Sequence, residues 1–99
     1  MKREMSYQEF CRAIEDAEII DIRTPEEYDS GHIPGAKNIN IYDDTFLEEI
    51  GALDRRGTYA LYCRSGGRTA KALMMMEGMG FESVGHLEGG ILDWEGELE

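Results

Sequence analysis

The stretch from Tyr59 to Leu73 constrains the fold more than any other part of the chain, because it joins three kinds of local sequence in a fixed order. An apolar run over Tyr59–Tyr62 predicts a buried strand. That strand delivers Cys63 into a short loop containing Gly66 and Gly67, and an amphipathic helix follows. Parallel α/β sheets bind their ligands at the carboxyl ends of such strands. The order therefore predicts a parallel α/β sheet with Cys63 at its functional edge.

The loop that follows Cys63 favours a reactive thiol. Gly66 and Gly67 allow backbone dihedrals that let successive amide N–H groups converge on one point, which makes a concave site for an anion. The start of the next helix and the guanidinium groups of Arg64 and Arg68 add positive potential, which lowers the pKa of a cysteine. A buried, purely structural cysteine is the alternative, and two arginines make a poor core environment for it.

Polar residues follow a second predicted strand, Glu18–Ile22, which is apolar at its centre. If that strand is a parallel neighbour of the cysteine strand, Asp21 and Arg23 lie at its carboxyl end near Cys63. We expect either Asp21 or Glu27 to pair with the guanidinium of Arg68, because a bidentate arginine fixes geometry as well as charge. A solvated surface ion pair is the alternative for each of these contacts.

The remaining periodicity alternates helices with strands, which is typical of a parallel sheet covered on both faces. Capping-box sequences precede two of the predicted helices, and glycines end the helix that follows the Cys63 loop. We expect the methionine-rich helix after the loop to lie in the core and the acidic carboxyl end to fray. The predicted helices are Tyr7–Ile14, a short one after Thr24, Asp44–Leu53 with Phe46, Leu47, Ile50 and Leu53 on one stripe, the one after Arg68, and a final one carrying Trp94; the other predicted strands are Lys37–Ile41, Thr58–Tyr62 and Phe81–Val84.

Length and charge restrict the classes of function. Ninety-nine residues suit a single domain over residues 1–99, and we expect a monomer or a weak dimer. No apolar segment approaches a membrane span, and the polar start of the chain predicts a cytoplasmic location. A net charge of -11 opposes binding to nucleic acid or to an anionic membrane. The two cysteines have no metal-ligand spacing and form no C-x-x-C pair, so no metal site is predicted.

Three motifs in the same order resemble the rhodanese sulfurtransferase family. Residues 63–68, Cys-Arg-Ser-Gly-Gly-Arg, are similar to the six-residue active-site loop of that family. Residues 21–36 resemble its amino-terminal motif, and residues 87–94 resemble its carboxyl-terminal one. The resemblance implies a three-layer α/β/α fold with about five parallel strands. The first strand of the family is reduced here to residues 2–5, which leaves one sheet edge open to question.

The resemblance also implies a reaction, in which the Cys63 thiolate takes a sulfane sulfur from thiosulfate or a persulfide and passes it to an acceptor. The site would need no cofactor, the donor would be a small anion, and the acceptor a thiol such as that of thioredoxin or another sulfur-accepting protein. Asp21 and Arg23 would frame the site. The loop residues expected to bind the donor and cradle the persulfide are Arg64, Ser65, Gly66, Gly67, Arg68 and Thr69.

Two other functions stay open at this stage. Phosphatase or arsenate reductase chemistry uses a related loop of the form C-x5-R, which is one residue longer than the interval from Cys63 to Arg68. A rhodanese-like domain that binds without turnover is the other. Cys11 is expected to pack on an apolar helix face, with a role as resolving cysteine as the alternative, while His32 and His86 are expected to be structural rather than general bases.

Overall fold

A parallel five-stranded sheet forms the middle layer of the protein, in a computed structural model that describes residues 1–99. The elements in chain order are β1 (Glu4–Met5), α1 (Tyr7–Ala13), β2 (Glu18–Asp21), α2 (Pro25–Asp29), β3 (Lys37–Asn38), α3 (Phe46–Gly51), β4 (Thr58–Tyr62), α4 (Gly67–Gly78), β5 (Ser83–Leu87) and a 3-10 turn (Gly90–Asp93). The strands lie in the order β1-β5-β4-β2-β3, and every neighbouring pair is parallel. This architecture confirms the α/β fold expected from the alternating elements.

The two faces of the sheet carry separate apolar clusters. Alternation along β4 sends Tyr59 and Leu61 to one face and Ala60 and Tyr62 to the other, because successive side chains of a strand point in opposite directions. The first face packs against α3 and α4 and includes Cys63, while the second packs against α1, α2 and the 3-10 turn. The protein therefore has three layers, with the helices on both faces.

Capping fixes the starts of the two helices that cover the second face. Ser6 caps α1 and Thr24 caps α2, and in each case the glutamate three residues later bonds back to the backbone of the capping residue. Pro25 occupies the first position of α2, where its missing N–H leaves no bond unmade. These boundaries agree with the capping boxes in the sequence.

Two helices are less buried than their sequences predict. In α3, Phe46 and Ile50 are buried but Leu47 is about half exposed, because one residue further along a helix turns a side chain roughly 100° away. In α4, Met74 and Met75 are exposed, so that helix covers the sheet with one face and leaves the other in solvent. The face of α4 in the core consists of Thr69, Ala72, Leu73 and Met76.

The ends of the sheet and of the chain also differ from the sequence prediction. β1 and β3 are edge strands of two residues each. The first strand, which the sequence left in question, is therefore present in a short form. β3 ends at Asn38, well before the predicted end at Ile41. β5 starts later than predicted because the N–H of Phe81 still bonds back to α4. At the acidic carboxyl end, Glu99 exchanges two backbone hydrogen bonds with His32. Trp94 packs edge-on against Tyr7 and Phe10 just after a 3-10 turn rather than within a longer helix.

A buried polar cluster joins β2 to β4 on the face away from α4. The hydroxyl of Tyr62 donates to Oδ2 of Asp21 at 2.8 Å and accepts the backbone N–H of Ile33 at 3.0 Å. Arg23 completes the cluster with a 2.7 Å ion pair to the same carboxylate. All of these groups are buried, so each of them depends on the others for its hydrogen bonds.

We therefore predict that Tyr62→Phe costs about 1 to 3 kcal/mol of unfolding free energy, because it leaves the buried N–H of Ile33 and one acceptor position of Asp21 without partners. Urea denaturation measures this loss, and the slope against urea should stay unchanged. Tyr42→Phe is the matched control, since Tyr42 is 68% exposed. Equal stability of the two variants would contradict the role assigned to the Tyr62 hydroxyl.

Candidate active site

Cys63 lies at the carboxyl end of β4, the central strand, in the first residue after it. Its neighbours β2 and β5 run parallel to β4 on either side, so three strand ends meet at this edge. The cysteine is only 1% exposed, yet it lines an open pocket of about 500 Å³. A small molecule in that pocket can therefore meet the sulfur, while bulk water surrounds little of it.

The loop after Cys63 folds back over the sulfur. The backbone N–H of Gly66 donates to Sγ at an N···S distance of 3.1 Å, and the hydroxyl of Thr69 lies 3.7 Å from Sγ. This arrangement requires a left-handed backbone at Gly66, with φ of +101°. Residues other than glycine rarely adopt that conformation. The loop thus surrounds one sulfur atom with hydrogen-bond donors.

The pKa of Cys63 reflects two opposing effects. Burial alone raises it, because a thiolate loses its water on leaving solvent. Hydrogen bonds from the backbone and side chain of Thr69 and from the amides of Gly66 and Ser65 favour the anion and outweigh burial. The pKa of the Cys63 thiol consequently lies below its ordinary value, as the sequence predicted for this loop.

A second glycine segment supports the loop from the side of β5. A Cβ at Gly66 would overlap the carbonyl oxygen of Glu88, and a Cβ at Gly90 would overlap the backbone of Arg64. The N–H of Ile91 donates to the carbonyl of Cys63 at 2.9 Å. The Gly89-Gly90 pair in the carboxyl-terminal motif therefore lets two backbone segments meet closely.

Arg68 forms an ion pair with Glu27, one of the two carboxylates that the sequence offered as its partner. The guanidinium donates to both oxygens of Glu27, at 2.8 and 2.9 Å. These bonds from Arg68 hold the pKa of Glu27 at about 2. Asp21 does not contact Arg68; it pairs with Arg23 on the opposite face of the sheet, so neither of those two residues reaches the sulfur. Only one of the two expected supports therefore touches the loop.

The pocket mouth contains residues that sequence reasoning missed. Tyr42 lies over the guanidinium of Arg68, at 5.7 Å from its carbon to the ring centre, and Lys71 lines the pocket without any ion pair. Lys71 follows Arg68 by one helical turn, which the helical spacing could have revealed, whereas no pattern announces Tyr42. Ser65, Gly67 and Arg68 line the pocket as expected, while Arg64 is exposed outside it. The other lining residues are Ile41 and Met75.

The remaining cysteine and histidines lie in different surroundings. Cys11 is half-buried on α1, and both cysteines are free thiols. His32 stacks on Tyr28 and bonds to its carbonyl, with no contact to Cys63. His86 is buried in β5 and bonds to Thr69. No cluster of three or more histidine, cysteine or carboxylate side chains forms a metal site, and none of the helices is long and apolar enough to cross a membrane.

Several known proteins are similar to this chain in sequence. It is 37% identical to "Putative sulfurtransferase YtwF" of Bacillus subtilis, over 93% of this chain and 86% of that protein. It is also 37% identical to "Probable adenylyltransferase/sulfurtransferase MoeZ" of Mycobacterium tuberculosis, over 82% of this chain but only 21% of MoeZ. Further relatives are the "Putative sulfur carrier protein YrkF" of Bacillus subtilis, half of which is covered, and proteins named tRNA uridine(34) hydroxylase, of which about a quarter is covered.

The structure also has close counterparts among solved proteins. The "Rhodanese-like Domain Protein" of Staphylococcus aureus superposes with a TM-score of 0.85 at 29% identity, over 99% of this chain and 97% of that one. The sequence model for the rhodanese-like domain matches residues 6–97. This match spans the four strands β2 to β5, the Cys63 loop and the glycine pair that supports it. The chain is therefore a member of the rhodanese-like domain family.

Proposed function

We propose that this protein is a sulfurtransferase in which Cys63 carries the transferred sulfur as a persulfide. The observation that carries the proposal is the 3.1 Å hydrogen bond from the Gly66 amide to a cysteine sulfur that is buried yet lines a pocket. A thiolate is the nucleophilic form of cysteine, and this loop favours it. The names of YtwF, MoeZ and YrkF support sulfur chemistry at the family level.

The reaction has two displacement steps. The Cys63 thiolate attacks the outer sulfur of thiosulfate, the S–S bond of the donor breaks, and sulfite leaves with the electron pair. The cysteine then holds an anionic outer sulfur, which amide dipoles of the loop stabilise without reorganisation. An acceptor thiolate attacks that sulfur and restores the Cys63 thiolate. Because the first product leaves before the acceptor reacts, the kinetics should be ping-pong.

The charges around the pocket support a small anionic donor. The chain carries a net charge of -11, which repels anions at long range. At the pocket, Lys71 is a cation without an ion pair, and Arg68 lies beside it. A thiosulfate or persulfide anion is therefore drawn in where the unpaired charge of Lys71 dominates the local field.

Arg68 supports the loop rather than the donor in this proposal. Two N–H groups of the guanidinium donate to the two carboxylate oxygens of Glu27, and this carboxylate largely balances the charge of Arg68. A bidentate pair fixes the plane of the guanidinium, and the backbone of Arg68 belongs to the first turn of α4 next to Gly67. Glu27 thus holds the start of α4 in place, while Asp21 and Arg23 hold β2 against β4.

The other functions considered for this loop fit less well. The interval from Cys63 to Arg68 is one residue shorter than the C-x5-R loop that holds a tetrahedral oxyanion, and the Gly66 amide bonds to the cysteine sulfur itself. The hydroxylase relatives act on tRNA, and this chain spans about a quarter of their length and is strongly acidic. Thioredoxin or another sulfur-accepting protein remains the proposed acceptor.

We predict that thiosulfate treatment adds the mass of one sulfur atom to Cys63, detected by mass spectrometry of the intact protein and of its peptides. Cyanide or a thiol should then remove the added sulfur. Cys63→Ser should lose the adduct and the turnover, whereas Cys11→Ser should keep both because Cys11 lies on α1, outside the pocket. A wild-type protein that binds partners but never gains the sulfur would be a binding module instead.

Two glycine substitutions in α4 and the loop before it test the geometry of the loop. We predict that Gly66→Ala slows sulfur loading at neutral pH about tenfold or more, since a hydrogen bond to a charged group contributes about 1.5 to 3 kcal/mol and the new Cβ overlaps the Glu88 carbonyl. Gly78→Ala should load at close to the wild-type rate, because a Cβ there has nothing within 4 Å and Gly78 lies at the far end of α4, outside the pocket. Stopped-flow loading rates of variants with wild-type circular dichroism measure the difference. Equal rates in the two variants would exclude this loop geometry.

A further inference from the structure

His86 is a buried titratable side chain that the proposed reaction does not use. It is 3% exposed and lies near the end of β5, on the face of the sheet that packs against α4. Its Nδ1 lies 2.5 Å from the hydroxyl oxygen of Thr69, which is itself fully buried. The same hydroxyl lies 3.7 Å from Sγ of Cys63. One threonine therefore connects the imidazole to the sulfur.

The opposite end of the imidazole reaches solvent. Nε2 of His86 bonds to no protein atom. Every fully buried side-chain nitrogen and oxygen in the protein does have a partner, so Nε2 is not fully buried. Nε2 is consequently in contact with water. This leaves an unbroken series of exchangeable positions from Sγ through the Thr69 hydroxyl and Nδ1 to Nε2.

The threonine hydroxyl has only one proton, so its direction depends on the imidazole. When Nδ1 lacks a proton, it accepts a hydrogen bond from the Thr69 O–H. The threonine oxygen can then only accept a hydrogen bond from Cys63, which must carry its proton as a thiol. When Nδ1 carries a proton, it donates to Thr69, and the threonine O–H is free to donate to a Cys63 thiolate. The carbonyl of Gly66, 3.1 Å from the hydroxyl, competes for that proton, but an anionic sulfur is the stronger acceptor.

We infer that Thr69 and His86 form a proton path by which the buried Cys63 thiol loses its proton to solvent, with His86 switching between its two neutral tautomers. The thiol proton moves to the Thr69 oxygen, the hydroxyl proton moves to Nδ1, and the Nε2 proton leaves to water. The histidine begins and ends neutral, so atoms and charge balance with the thiolate as the only new anion. His86 is a positioning residue in this scheme, because it acts on the sulfur through Thr69.

The surroundings of His86 suit a neutral ring. Burial is the main cause that lowers the pKa of its imidazolium. Glu4, its register partner on β1, and Glu88, beyond the end of β5, raise the pKa, while Arg3 lowers it. Arg3 in turn pairs with Glu77 of α4, and β4 contributes the uncharged Leu61 as register partner. Burial outweighs the two carboxylates, so the pKa of His86 is lowered and the ring stays neutral at neutral pH.

The use of this path rests on the proposed function, because a donor in the pocket blocks the direct route from the sulfur to water. The path itself concerns only the ionisation of Cys63 and can be tested without any sulfur donor. Failure of sulfur transfer and failure of the proton path are therefore separate results.

Nitrogen NMR of the histidine ring tests the tautomer switch in the full-length wild-type protein. We expect His86 to carry its proton on Nδ1 when Cys63 is a thiolate and on Nε2 when it is a thiol, with the change centred at the pKa of the Cys63 thiol. His32 serves as an internal reference, because it contacts Tyr28 and Glu99 rather than the cysteine. A single tautomer of His86 on both sides of that pKa would overturn the inference.

A double-variant cycle tests whether Thr69 carries the coupling. His86→Leu should raise the pKa of Cys63 by about half to one pH unit, the size expected from one weakened hydrogen bond. His86→Asn, which keeps an amide N–H near Nδ1, should restore most of the loss. In a Thr69→Val background, His86→Leu should change nothing further, and His32→Leu should have no effect in either background. A His86→Leu effect of the same size with and without the Thr69 hydroxyl would overturn the proposed coupling.

Discussion

The interaction on which the site depends is the hydrogen bonding of one buried sulfur by the loop that follows it. Burial of Cys63 opposes the thiolate, and by itself it would leave an unreactive core thiol. Donors from Ser65, Gly66 and Thr69 reverse that balance within a single turn of chain. The lowered pKa of the thiol therefore comes from fixed dipoles and lasts only as long as the loop keeps its shape.

The rest of the fold keeps that shape from three directions. The start of α4 is tied to α2 by the fork between Arg68 and Glu27. The segment after β5 lies against the loop closely enough that Gly66 and Gly90 have no space for a side chain. On the side of α4, Thr69 contacts both the sulfur and His86. Each support comes from a different part of the chain, which explains why the active-site motif alone would not make a site.

Sequence reasoning reached the parts that depend on local chemistry. The capping boxes placed α1 and α2, and the apolar run before Cys63 gave β4 and the position of the thiol at the sheet edge. What it missed depends on contacts between distant segments. Leu47 and Met74 are apolar but exposed, and the link from Thr69 to His86 crosses between α4 and β5. Arg68 pairs with Glu27 of α2 because Asp21 is already engaged by Arg23 and the Tyr62 hydroxyl. No spacing along the chain carries that information.

The central claim is that the loop makes the Cys63 thiol more acidic than an ordinary cysteine. Ultraviolet absorbance of thiolate near 240 nm, followed against pH as the difference between wild type and Cys63→Ser, isolates this one group from Cys11 and the tyrosines. We expect a midpoint clearly below the ordinary cysteine value of about 8.5. A midpoint at or above that value would show that burial outweighs the loop, and would contradict the account.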